Sequence, residues 1–317
     1  MPEEIWQRNP RPQYAIPTKV SRIDPDVAPL IQVPLNENPW KYKRISGTLI
    51  QGNNKWHMTV QNGALGLTKK VEINTGNKQL QIMRLLNSQN IHTIQEAFVD
   101  QGEMYICFSY YRFTLEEVLH VHESFEEDHI IEVSRSVSIN LSANGVSLNP
   151  DKIFNAVKHV ATAGIVHNSV TPAAIRICGK SGKVVLSNFE DCILQNGPSS
   201  SNIDLQQLGF TILECMNGNT DEKLRKLDYV ISQRNNNKIF GIKKSEKWSG
   251  CKLLIDCLDD LFNDDKQPLA KFERPHAFLR LQHSTDGILL LFTELVTLEC
   301  FARWRAAPRG NASIETS

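Results

Sequence analysis

Short apolar runs separated by turn residues fill the first third of the chain, and helical spacing dominates the remainder. Runs over 42–50, 56–60 and 65–71 predict β-strands, punctuated by Gly47, by Gly52 with Asn53 and Asn54, and by Asn62 with Gly63. Over 78–86, Leu80, Met83 and Leu86 recur at threes, which predicts a short helix. Runs over 91–98 and 103–108 predict two more strands, for a five-stranded sheet with one helix. Thr114 and Glu117 then form a capping-box signal at the head of another short helix.

Residues 123–149 are polar and rich in Ser and Asn, and read as an inserted loop. Asn149, Pro150 and Asp151 make a helix start, Phe154, Val157, Val160 and Ala161 share one face, and Gly164 is the stop. A hairpin is expected from strands over 175–178 and 183–187, with Gly179 and Gly182 supplying the turn. Asp204 is expected to cap a helix that buries Leu205, Leu208 and Ile212 and ends at Gly218. Helices over 252–262 and 288–304 follow. The last has a broad apolar face of Ile288, Leu291, Phe292, Leu295 and Val296, read as docked on the body, with a partner surface as the alternative.

Composition narrows the field. The chain has 35 basic and 35 acidic residues, so charge balance points to no nucleic-acid partner. Seven scattered cysteines form no C-x-x-C pair, which argues against a zinc site or a disulfide framework. His120, His122, Glu123 and His129 cluster without metal-ligand spacing and read as a solvated loop. The longest apolar run, 288–292, is far short of the roughly 20 residues that span a bilayer, so no membrane association is expected. Acids and prolines near the start leave no apolar signal core, and an intracellular, cytoplasmic setting is the default. Residues 1–40 hold eight of the 14 prolines and read as an extended arm.

Several segments occur in a telling order. His167, Asn168, Ser169, Val170, Thr171, Pro172, Ala173 and Ala174 resemble the H-R-D-[LI]-K-P-x-N catalytic loop of protein kinases. Leu186, Ser187, Asn188, Phe189 and Glu190 are similar to the strand ending in D-F-G, and Asp204 to Gly209 resembles the D-x-W-S-x-G helix start. Cys257 with Leu258 matches the family's CL pair, and the stretch from Asp265 to Leu279 its closing R-P…H-P-F-L pattern. Upstream, Leu80 to Ile91 resembles the segment ending in H-P-N-I, and Glu103 to Tyr110 the strand leading to the hinge. The resemblance covers Lys41 to Leu279 and is nearest in flavour to the sterile-group serine/threonine kinases. It implies an α+β, bilobal protein-kinase-like fold. The parts are a Pro-rich arm (1–40), a small β-rich N-lobe (41–110), a mainly helical C-lobe (111–282) and a C-terminal helix with tail (283–317).

The departures fall on the chemistry. Phosphoryl transfer needs a lysine on the phosphates, metal ligands and a carboxylate base. The base position is Ser169, the loop lysine Thr171, one magnesium ligand Ala174, and the D-F-G aspartate Asn188. Glu190 or Asp191 would have to serve as substitute ligand. Gly52 alone represents the glycine-rich loop. The strand lysine is Lys69 or Lys70, although the best register puts Thr68 there, and a surface-facing pair is the plainer reading. Gln79 replaces the partner glutamate, Phe108 is the gatekeeper-like residue, and Tyr110 lies just beyond. No A-P-E triplet occurs, and its partner arginine is replaced by Gln267, so both members of that ion pair are missing together. His167, Phe189, Asp204 and Gly209 remain as structural residues. The expectation is a pseudokinase: no catalytic residues, no metal and no cofactor, a binding or scaffold role, and a protein partner with an active kinase as candidate. The alternative is a divergent active kinase using ATP and magnesium.

Overall fold

The computed structural model describes residues 34–51, 54–86, 88–121, 123–134, 138–142, 145–149, 152–236, 238–281 and 287–303. The molecule is mixed α+β, opening on β1 (Arg44–Gln51), β2 (Asn54–Gln61), β3 (Ala64–Glu72), α1 (Ile73–Leu85), β4 (Ile94–Asp100) and β5 (Glu103–Ser109). These five strands form one antiparallel sheet in the order β1-β2-β3-β5-β4. Asn62 and Gly63 both take positive φ in the two-residue β2–β3 turn, the hairpin chemistry their sequence suggests. Helix α1 begins five residues before the expected start at Lys78. Gly76 and Asn77 look like turn residues in the sequence, but Gly76 is buried where a Cβ would overlap Met104 Sδ.

Residues 1–33 of the expected arm lie outside the described residues. Residues 34–41 pack on the sheet and are not a loose tether. Leu35 forms a parallel bridge to Phe98 on edge strand β4, and Trp40 sets its ring edge-on to His57 and Tyr105.

Next come β6 (Phe113–Thr114), α2 (Leu115–Val118), α3 (Glu127–Ser134), β7 (Ser138–Ser142), β8 (Gly145–Asn149) and α4 (Lys152–Thr162). Thr114 and Glu117 form the expected capping box. The inserted segment departs from its reading as a polar loop. Part of it is helix α3, with Ile130, Ile131 and Val133 buried, and part is the β7–β8 hairpin. In α3 three aliphatic residues stand among four acids and histidines, which masks an amphipathic helix of about two turns. His122, Pro150 and Asp151 lie outside the described residues.

The chain continues through β9 (Ile165–Val166), β10 (Ile175–Ile177), β11 (Val184–Leu186) and β12 (Ile193–Leu194). It closes with α5 (Ile203–Asn217), α6 (Leu227–Asn235), α7 (Ser245–Trp248), α8 (Lys252–Phe262), α9 (Pro268–Glu273) and α10 (Leu290–Arg303). Strands β10 and β11 pair as expected, and β6 adds to β10 to make a three-stranded sheet. Gly182 takes positive φ in the hairpin turn, whereas Gly179 does not. Gly179 is instead a close approach: a Cβ there would lie 2.5 Å from the Phe113 ring.

Helix α5 is the buried axis of the helical part. Gly209 lets it approach α8, since a Cβ would lie 2.7 Å from Phe262, and Gly218 ends it in the left-handed conformation. Asp204 is not its cap; Asn202 precedes the helix and Asp204 sits in its first turn, committed elsewhere. The last helix docks through Leu289, Phe292 and Val296, with Phe292 stacked on Phe125. Leu291, expected on that docked face, is 53% exposed. Among the described residues no helix is long and apolar enough to cross a membrane.

Candidate functional site

The β10–β11 hairpin brings the polar segments at its two ends together beneath the five-stranded sheet. The 3-10 turn Pro172–Ala174 leads into β10, and Ser187 closes β11 by donating from both N–H and Oγ to Ala174 O at 2.7 and 2.8 Å. Asn188 then turns the chain with a positive φ of 63°, and its Nδ2 donates to Ala173 O at 3.3 Å. An asparagine tolerates this left-handed geometry.

The loop 167–171 is held by α5. Both oxygens of Asp204 accept backbone N–H groups, Oδ2 from His167 and Oδ1 from Asn168, each at 2.8 Å. Gln207 accepts from Val170 N and donates to Asn168 O, and Thr211 Oγ1 donates to Val170 O. This is why Asp204 caps nothing on its own helix: its carboxylate satisfies two donors of a buried loop.

His167 is fully buried, with Phe189 edge-on to its ring at 4.7 Å. Its Nε2 lies 2.9 Å from Ser187 O and its Nδ1 accepts from Ser169 N at 3.3 Å. Burial pushes its pKa down against the pull of Asp204, and a neutral ring protonated on Nε2 satisfies both contacts. Burial pushes the Asp204 carboxyl up, opposed by His167 and the two N–H donors. Ser169 and Thr171 are half-buried, and Ala174 is fully buried without a polar side-chain atom.

On the sheet, Thr68, Lys69 and Lys70 have different surroundings. Thr68 is fully buried and donates to Cys107 Sγ at 3.3 Å. Lys70 is half exposed and pairs with Glu103 at the far end of the strand. Lys69 points inward and meets Glu190 at 2.6 Å, both side chains largely buried, so the expected surface-facing reading fails for Lys69. Strand β3 is central, with neighbours on both edges, and its inner face closes on the 187–191 segment. Gln79 is buried on α1 with its Oε1 lacking a hydrogen-bond partner among the described residues. Tyr110 is half-buried with its hydroxyl toward Met58 Sδ, and Asp191 is exposed. Gly52 lies outside the described residues.

The residues that join sheet and hairpin lie outside the motif positions. Arg176, on β10, is almost wholly buried. Its guanidinium lies over the Trp56 ring at 4.4 Å, with Nη1 donating to Tyr111 O at 2.9 Å and Nη2 to Gln51 Oε1 at 3.0 Å. Gln51 Nε2 donates in turn to Glu117 Oε2 at 2.7 Å, and Arg112 Nη1 to Glu117 Oε1 at 2.8 Å. Trp56 also meets Phe108 edge-on at 5.6 Å and has Lys69 Nζ 5.4 Å from its ring centroid. Desolvation lowers the Arg176 pKa to about 10, with Glu117 and Glu190 opposing, so it stays charged at neutral pH. One signal was available: a lone arginine between Ile175 and Ile177 in an apolar strand requires a buried partner.

Among the described residues no group of three or more His, Cys, Asp or Glu side chains is arranged to hold a metal ion. Neither a family model nor a curated protein matches this chain.

Proposed function

We propose that the chain is a two-lobed, protein-kinase-like molecule that does not transfer phosphate and acts as a protein-binding module. The sheet with α1 would be the small lobe and the α5-centred body the large one. The observation that supports the reading is the buried Trp56–Arg176 stack, tied to Gln51 and Glu117, which joins sheet and hairpin where a kinase-like nucleotide would have to enter.

The residues present do not fit magnesium and ATP. Lys69, the one inward lysine of β3, is committed to Glu190, which removes both the phosphate ligand and a substitute carboxylate. Asn188 is turned onto Ala173 O, and Ala174 has no ligand atom. At the base position the Ser169 hydroxyl cannot accept a proton near neutral pH. With these groups committed to one another, what the molecule would offer to others is its surface.

Phosphotransfer from labelled ATP, with magnesium or manganese and a general protein substrate, tests this reading. No incorporation above that of a Lys69→Met variant is expected. Incorporation that Lys69→Met abolishes would establish a divergent active kinase instead.

A further inference from the structure

The last helix carries two apolar seams: one is buried in the fold, and the other is covered only in part. Leu289, Phe292 and Val296 face inward and are buried. Ile288, at the turn leading into α10, with Leu291, Leu295 and Leu298 forms a second row at spacings of three, four and three, the repeat of a coiled-coil seam. Ile288 and Leu295 are half-buried and pack against the core, while Leu291 and Leu298 are 53% and 63% exposed. A helix that is apolar on two sides is normally covered on both.

Charge indicates what covers it. Residues 288–300 contain two acids, Glu294 and Glu299, and no Lys, Arg or His. At 100° per residue these acids flank the outer seam on opposite sides, with Glu294 exposed. A second copy in parallel would set Glu294 against Glu299 across the seam. An antiparallel copy, matching Ile288 to Leu298 and Leu291 to Leu295, would set Glu294 against Glu294. Like charges at flanking positions oppose pairing in either orientation, whereas lysine or arginine favours it.

We propose that the outer face of α10 docks an amphipathic helix of another protein, one whose aliphatic seam is flanked by lysine or arginine. This helix-in-groove mode reads anchors such as i, i+4 and i+7, here Leu291, Leu295 and Leu298. The seam is short, so the affinity it supplies alone is modest and salt-dependent. The proposal deepens the binding-module reading but does not involve the cleft, so its failure leaves the phosphotransfer result untouched.

The test titrates the full chain into a labelled three-heptad synthetic helix with Ile at a, Leu at d and Lys at e and g, read by fluorescence anisotropy. Controls are the same peptide with Glu at e and g and a scrambled peptide of identical composition. The Leu291→Ser/Leu298→Ser variant should keep its unfolding midpoint, because both side chains are exposed. We expect saturable binding of the Lys-flanked helix, weakened at least about tenfold by the double substitution and by either control sequence. No saturable binding, equal binding of the controls, or indifference to the double substitution would overturn the proposal. So would a dimer of the chain alone that the double substitution dissolves, since that assigns the face to a second copy.

Discussion

The Arg176 guanidinium lies 4.4 Å from the centroid of the Trp56 ring, and both side chains are almost wholly buried. A cation on an indole face is worth up to about 2 kcal/mol when water is excluded. Trp56→Ala should destabilise by about 3–5 kcal/mol, from lost burial and the cavity left. Arg176→Ala should cost about 3 kcal/mol, leaving Tyr111 O and Gln51 Oε1 without their donor. The two are in contact, so a double-mutant cycle from urea unfolding should return a coupling of about 1–2 kcal/mol.

Lys69 and Glu190 join the sheet to the segment after β11 through a 2.6 Å ion pair with side-chain exposures of 11% and 17%. Removing one partner strands the other charge. Lys69→Met or Glu190→Gln alone should lower stability by about 3 kcal/mol. The double substitution Lys69→Met/Glu190→Leu should cost less than the sum of the two, which denaturant midpoints will report.

Asp204 is a positioning residue for the 167–171 loop. Asp204→Ala leaves the His167 and Asn168 N–H groups without acceptors, at about 1–3 kcal/mol each. Hydrogen exchange at those two amides should accelerate more than at the α8 core, a local signature that general destabilisation would not produce.

His92 gives the stability a pH dependence. It is buried against Phe108 and Tyr111 with Nε2 at 2.8 Å from Ser109 O, and burial lowers its pKa from 6.5 to about 3. Between those values the unfolded chain binds a proton that the folded chain does not, so stability falls as pH falls across that window. The slope is about 1.4 kcal/mol per pH unit for each such group, and nothing is lost to this group above the unfolded value. His167, also lowered by burial, acts in the same direction. His92→Gln should flatten the decline by about one group's slope between pH 6 and 4, measured by urea unfolding across pH.

Much of the fold was readable because local rules and global packing agree. The five strands, the Thr114–Glu117 box, the β10–β11 pairing and the Gly218 stop each follow from residue type at a fixed spacing. Long-range choices were less readable. Lys69 and Lys70 are adjacent and alike, and only the closure of the inner face on Glu190 distinguishes them. Asp204 has the composition of a cap, but a capping reading sees four residues, while its partners lie 36 and 37 positions away. The motif positions are those whose catalytic side chains are missing. Arg176, Trp56 and Gln51 lie between those positions, and a buried cation in an apolar strand was the one local clue.

If Trp56, Arg176 and their partners take up the space between sheet and hairpin, magnesium and ATP have no site there. The decisive measurement is thermal unfolding with and without saturating magnesium and ATP. A ligand at a hundredfold excess over its Kd adds about 2.7 kcal/mol, a shift of several degrees for a chain of this size. The expected midpoint is unchanged by magnesium and ATP; a magnesium-dependent rise of several degrees, lost in Lys69→Met, would overturn the proposal of a molecule that takes no nucleotide.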